Sequence, residues 1–424
     1  VLGGNWQNLH HVLEGWYVAL RLDTGSSTLG AIIDPLGSYQ LFTLEHDGAY
    51  LMSNSVRILA QIGQKTQLDP VAISLALCLN RVSDHRTLLS DIRVMPGGRP
   101  WSWRQGKGRF QHETYFAPAK LSEFKRQRLT GRRIELLADQ FCDLYQALAR
   151  VGVPRCPVTG GRDWRVMAAG CAAAGIEAHY FTTGEWDNID LSVSRQVAHC
   201  LGVELYEQIV NNEQVYDRWD ERVQTLIQKN DGLLSLWQVA DVLFQPQRID
   251  QLEVALHGAD GEISRFSTLD RVALARGLAA ADLAGWLIGR TLTNGQGLLH
   301  PNAVPYAEQY LSGFACQCLD QGFDPLDVPE VYYVLTEWTT RSNLRKSAAY
   351  CDTYSPYTSR SFLQAVFATS HSALLSEQLQ YQLLRYLEPE LCALPFDRDG
   401  WQHHRWWRDR ISYRGVNQLN HLRT

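Results

Sequence analysis

Val158-Thr159-Gly160-Gly161-Arg162-Asp163 is the stretch whose residue types and spacing most readily suggest chemistry. A short apolar run from Pro154 to Val158 reads as a buried strand, and a helix is expected from Arg165 to Ala174, just past the two glycines. Such a junction aims bare backbone N–H groups and the positive end of a helix at one point, which suits an anion such as pyrophosphate. Glycine lets the backbone come close to phosphate, Thr159 adds a hydroxyl donor, and Asp163 is a candidate ligand for Mg²⁺. The plainer alternative, a strand-to-helix turn capped by Asp163, stays open.

Other stretches also carry reactive groups. Val254-Ala255-Leu256 leads into His257-Gly258-Ala259-Asp260-Gly261-Glu262, where a tight surface turn at Asp260-Gly261 is the competing reading. Arg341, Arg345 and Lys346 are cations that could offset developing negative charge, or a solvated helix face. Lys125-Arg126-Gln127-Arg128 with Arg132-Arg133 is a basic cluster, and His403-His404-Arg405-Trp406-Trp407-Arg408 mixes cations with aromatics as single-strand binders do. On an acidic chain such isolated clusters are more often solvated faces or partner contacts, so nucleic acid is not expected as a partner.

These residues need elements to position them. Up to about residue 110 the sequence reads as short apolar runs broken by Gly, Pro and Asp, the pattern of an antiparallel sheet. The runs are Gly15 to Leu20, Leu29 to Ile33, Tyr39 to Leu44 and Ala49 to Met52, with Asp34-Pro35-Leu36-Gly37 and Asp47-Gly48 as turns. Val56 to Ile62 and Val71 to Leu79 read as helices. Arg99 to Phe124 is polar and irregular and marks the crossing into a second domain. Beyond it, Leu137, Phe141, Leu144 and Leu148 line a helix face. The strand and helix at the glycine turn are followed by a strand at Ala178 to Phe181 and a helix at Leu191 to Leu201, a strand–helix alternation that indicates a parallel sheet. From about residue 265 the reading is mostly helical, clearest over 273–290.

At 424 residues the chain is long enough for two cores. A formal net charge of −5 gives no global attraction to nucleic acid or an anionic membrane. No charge-free apolar run reaches the roughly 18 residues of a membrane span, and no leader is visible at Val1 to Trp6. Nine scattered cysteines, with only Cys316 and Cys318 close together, read as reduced core residues and point to a cytoplasmic protein.

Taken in order, these motifs resemble the asparagine synthetase family. That family carries Ser-Gly-Gly-x-Asp-Ser-Ser where this chain has Thr159 to Arg165. It follows with a strand, a glycine turn, an Asp and a helix ending Val-Ala-x-x-Leu-Gly, as do Tyr180 to Gly184, Asp190 and Val197 to Gly202 here. His257 to Glu262 resembles its facing acidic loop, Tyr350 to Tyr357 its acceptor-facing stretch, and Leu387 to Leu391 a Pro-Glu-Leu near the end of distant relatives. Leu13 to Leu20, Asp34 to Gly37, Leu51 to Ser55 and Ile92 to Gly97 resemble strands and turns of its glutaminase domain.

The resemblance implies a glutaminase-like, antiparallel β-rich remnant over 1–115. It implies a parallel-sheet ATP-pyrophosphatase domain with a helical C-terminal part over 116–424, α+β then α/β. It further implies ATP and Mg²⁺ as cofactors. The ATP ligands would be Val158, Thr159, Gly160, Gly161, Asp163, Arg165, Thr182, Thr183, Gly184, His257 and Gly258. Asp163 and Glu262 would hold the metal, and Glu262, Asp352 and Lys346 would carry catalysis. The reaction would be adenylation of a carboxylate followed by attack of an amine, within one substrate or between two, as in relatives that close β-lactam or lasso-peptide rings. A peptide substrate, a partner protein or a second copy fit that expectation.

Three features depart from the family. No N-terminal cysteine nucleophile precedes the recognisable strands, and Cys78, the first cysteine, lies too late to replace it, so ammonia from glutamine is not expected. Trp164 stands where relatives have a small serine, and Asp260 where they have glycine. These favour the alternative of a catalytically degenerate subunit that binds or assembles.

Overall fold

The computed structural model describes residues 6, 9–64, 67–79, 85–104, 111–112, 121–209, 219–229, 231, 253–258, 260–266, 301, 303–333, 352–397 and 400–401. Contacts divide the chain into two compact units. One comprises Val1–Glu123, Val223–Val239 and Leu278–Lys346, and the other Phe124–Arg222, Ala240–Gly277 and Ser347–Thr424.

The first unit holds two antiparallel sheets. Strands β1 (Val18–Asp23), β2 (Thr28–Ile33), β3 (Phe42–His46), β4 (Ala49–Ser53), β5 (Ile92–Val94), β6 (Pro100–Arg104) and β7 (Gln111–His112) order as β1-β2-β6-β7 and β4-β3-β5. Alternation sorts each strand by face: Val18, Ile33, Ala31 and Trp101 share a side with buried Leu41 and Met95. Helix α1 (Val56–Gly63) starts at Ser55, whose side chain accepts the Ile58 N–H, and drops Val56 and Leu59 onto Phe42, Leu44, Ile92 and Val94. Helix α2 (Pro70–Leu79) follows. The turn at Asp34 is fixed by its own carboxylate, which accepts the N–H groups of Leu36, Ser38 and Tyr39. Gly97 is backed so closely by Gly37 that any side chain there would strike backbone.

Each compact unit is assembled from segments far apart in the chain. Helix Ala303–Asp320 packs against α2, and both oxygens of Asp231 hold the start of α1 through Ser55 Oγ (2.8 Å) and the Val56 N–H (3.1 Å). Late segments therefore complete the first core.

The second unit is built on a five-stranded sheet of β8 (Val153–Pro157), β9 (His179–Gly184), β10 (Leu205–Ile209), β11 (Glu253–Leu256) and β12 (Asp352–Tyr354). All neighbours are parallel and the order is β10-β9-β8-β11-β12. Successive strands run outward one way from β8 to β10, then restart on its other side at β11. In open parallel sheets this reversal leaves a crevice beyond the carboxyl ends of the two central strands, and ligands bind there. Both glycine loops follow those two strands.

Helices α3 (Gly131–Ala149), α4 (Arg162–Ala173), α5 (Ile189–Leu201), α6 (Arg360–Ala368) and α7 (Gln378–Leu387) complete the unit. Helix α3 buries Ile134, Leu137, Ala138, Phe141 and Tyr145, a face rotated from the expected one, so Leu144 and Leu148 are only half-buried. The cause is Tyr145, whose ring fills the space beside Gly170 on α4, where no side chain would fit. Helix α4 begins three residues earlier than expected, at Arg162. The 273–290 segment lies outside the described residues. Among the described residues no helix is long and apolar enough to cross a membrane.

Candidate functional site

The chain leaves β8 at Pro157, and Val158 donates its N–H to Phe181 O on β9 (2.7 Å), which carries the strand pairing into the turn. Gly161 N–H turns back to Thr159 Oγ1 (3.1 Å). Gly160 N–H donates to Asp190 Oδ1 (2.8 Å), in the first turn of α5. Asp190 is placed there by Asn188, whose side chain caps the helix at the Asp190 N–H (2.9 Å). Ser194, one turn on and fully buried, donates to Val158 O (2.8 Å) and lies 3.3 Å from Thr182 Oγ1, pinning the ends of β8 and β9 together. On its other side Gly160 meets Asp397: its carbonyl accepts the Asp397 N–H (3.3 Å), and a Cβ at Gly160 would lie 2.6 Å from Asp397 Cβ.

Asp163 sits in the first turn of α4 and points across the crevice. Its Oδ2 pairs with Arg265 Nη2 (2.7 Å), and its Oδ1 accepts from Gln380 Nε2, which also donates to Gly261 O (3.1 Å). Tyr357 OH donates to the Asp163 carbonyl. Burial pushes the Asp163 carboxyl up to about 6; the Arg265 charge opposes that rise and the nearby Glu262 carboxylate reinforces it. A side chain at Gly261 would collide with the Asp163 carboxylate.

From β11, His257 donates its N–H to Tyr354 O on β12 (2.9 Å). Gly258 is buried beneath the Trp164 indole: a Cβ there would lie 2.7 Å from the indole ring, and the indole and His257 rings are 5.6 Å apart. Asp260 takes a left-handed backbone (φ 81°), which Asp tolerates better than most residues. Its N–H donates to Glu262 Oε2 (2.7 Å). The chain then closes the 3₁₀ turn Gly261–Arg265, which carries Arg265 back to Asp163.

The two glycine loops, with Asp163 and Glu262, are thus brought together at the switch point. Thr182 is buried at the end of β9, and Thr183 and Gly184 are half-buried beside it. Arg165 needs correction. It is fully buried and faces away from the crevice, donating to Leu391 O (3.2 Å), Leu394 O (2.9 Å) and Pro395 O (2.5 Å), with its guanidinium 4.0 Å over the Phe396 ring. Burial lowers its pKa to about 10. Lys346 lies outside the described residues, and of Asp352 only the backbone, paired with Val254, is described.

Sequence reasoning missed Arg265, Gln380 and Asp397 as residues of this site. Arg265 had a signal in its place three residues after Glu262. Gln380 and Asp397 had none, since only the fold brings them near.

Mg²⁺ does not fit this arrangement as it stands: both Asp163 oxygens are engaged by an arginine and an amide. Among the described residues no group of three or more His, Cys, Asp or Glu side chains is disposed to hold a metal ion.

What fold and site define is a doubly wound parallel sheet with a glycine-lined crevice at its switch point. No protein-family model matches the sequence, and a comparison with curated proteins finds no match. Among solved structures, an NAD+ synthetase from Burkholderia pseudomallei is similar over 51% of this chain and 92% of that one, at 11% identity and a TM-score of 0.23. A likeness that shallow supports no functional inference.

Proposed function

We propose that this chain keeps an ATP-pyrophosphatase-like architecture, with residues 1–115 as a glutaminase-like remnant, and works as a binding or assembly subunit. The observation that carries the reading is the Trp164 indole lying on Gly258, where close backbone approach to phosphate would otherwise be possible. The other phosphate-facing groups support it. Gly160 N–H is taken by Asp190, Gly161 N–H by Thr159, and Asp163 by Arg265 and Gln380. An entering triphosphate would have to break each of these contacts and displace an aromatic ring.

A second reading is favoured by the convergence of Asp163 and Glu262 from neighbouring strand ends. It is an ATP-dependent ligase that adenylates a carboxylate and couples an amine, with Trp164 turned out of the crevice. Lys346 and Asp352 would then face the acceptor, which could be a peptide.

Pyrophosphate release from ATP, measured across a panel of carboxylate and amine pairs, separates the two. The binding reading expects none from the parent protein. Release that Asp163→Ala abolishes would establish the ligase instead.

A further inference from the structure

We propose that Arg265 is a built-in counter-ion, standing where a divalent cation would bridge the two switch-point loops and excluding such a cation from the crevice. This deepens the reading of a closed crevice and rests on it.

Arg265 ends the 3₁₀ turn that follows β11, and its guanidinium crosses to the first turn of α4, meeting Asp163 Oδ2 at 2.7 Å. Both partners are largely shielded from water, with side-chain exposures of 21% for Arg265 and 14% for Asp163. Burial disfavours the charge on Arg265, but the negative charges of Asp163, Glu262 and Glu377 outweigh it, so its pKa lies above the ordinary arginine value. Glu377 is shared with Arg162, whose Nε lies 3.1 Å from it. The remaining Asp163 oxygen is held by Gln380.

A hard divalent cation needs several oxygen ligands with free lone pairs at short range. Here the carboxylate that would lead the set is engaged at both oxygens by donors, one of them a permanent cation that titration cannot remove. A divalent ion placed at Asp163 would also lie within a few ångströms of that guanidinium, in surroundings where like charges repel strongly. Removing the guanidinium reverses the balance. Asp163 and Glu262 would then lose their strongest counter-charge, keeping only the Gln380 amide and the more distant Arg162, and would recruit a cation.

Mn²⁺ uptake, read from loss of the free-ion electron paramagnetic resonance signal, tests this on the full chain. The parent is expected to leave the signal unchanged. Arg265→Gln is expected to take up about one equivalent, and Arg265→Gln combined with Asp163→Asn to lose it again. Uptake by the parent that Asp163→Asn abolishes would overturn the proposal, as would a folded Arg265→Gln protein that takes up none. If Arg265→Gln does not fold, the parent and Asp163→Asn decide alone: no Mn²⁺ bound at Asp163 upholds the proposal. Failure of the closed-crevice reading would show separately, as ATP-dependent pyrophosphate release.

Discussion

A serine-sized side chain at position 164 would leave Gly258 open to a ligand; Trp164 lays its indole there, so the glycine accommodates a ring of the same chain. Gly258→Ala is therefore expected to overpack the contact and cost about 1–3 kcal/mol. In a Trp164→Ser background most of that cost should vanish, and urea unfolding of the four proteins gives the coupling directly. Equal costs in both backgrounds would mean the indole is elsewhere. Asp163 gives a second expectation at this scale. Its carboxyl is raised to about 6 from an ordinary 3.8, so between those values the folded state holds more proton than the unfolded chain. Its contribution to stability is thus fullest at low pH and is lost as pH rises through about 6, with a slope of at most about 1.4 kcal/mol per pH unit. Melting curves from pH 4 to 6 should show a smaller fall with rising pH for Asp163→Asn than for the parent. How far single residues were legible in the sequence divides along the same line. The backbone roles of Gly160, Gly161 and Gly258 could be read from strand–glycine–helix order, whereas the direction of the Arg165 side chain could not. An arginine three residues inside a helix looks the same in sequence whether it meets phosphate or, as here, three carbonyls.

Elements are legible where their period is strong and less so where packing overrides it. Strands β2 and β4 and the two helices after them lie close to where the sequence puts them, whereas β1 and β3 each begin three residues later than expected. Helix α3 is rotated, since Tyr145, a polar aromatic, claims the space offered by Gly170. The strap over 389–397, with Gly400 and Trp401 beyond it, had only a faint Pro-Glu-Leu to mark it, yet its Asp397 lies against Gly160 of the glycine loop. Two arginines of α4 hold it: Arg165 through Leu391, Leu394 and Pro395, and Arg162 through Gly400 O (2.9 Å) and the rings of Phe396 and Trp401. Replacing Arg165 with Met removes the donor from three carbonyls, of which that of Leu391 belongs to a buried residue, at a cost of about 1–3 kcal/mol. Hydrogen exchange should quicken most over 391–397, with amides of β8 and β9 least affected. Uniform loosening would show that the strap is not a separate layer.

For the whole molecule, alternation of strands and helices was enough to indicate a parallel sheet, but not its strand order. That order needs β11, which lies far along the chain from β10, to insert beside β8, and nothing local encodes such a pairing. Yet the order is what puts both glycine loops at one crevice, where Trp164 meets Gly258, Arg265 meets Asp163 and Asp190 meets Gly160. Compactness likewise escaped a linear reading, because the first unit recruits the Ala303–Asp320 helix and Asp231 from far downstream. Thermal unfolding of the parent chain with and without saturating Mg-ATP tests the closed crevice most directly. A functional site filled at ~100 times its dissociation constant would add about 2.7 kcal/mol, a rise of several degrees. A crevice filled by its own side chains predicts an unchanged melting temperature. A rise of that size, lost in Asp163→Ala, would contradict it.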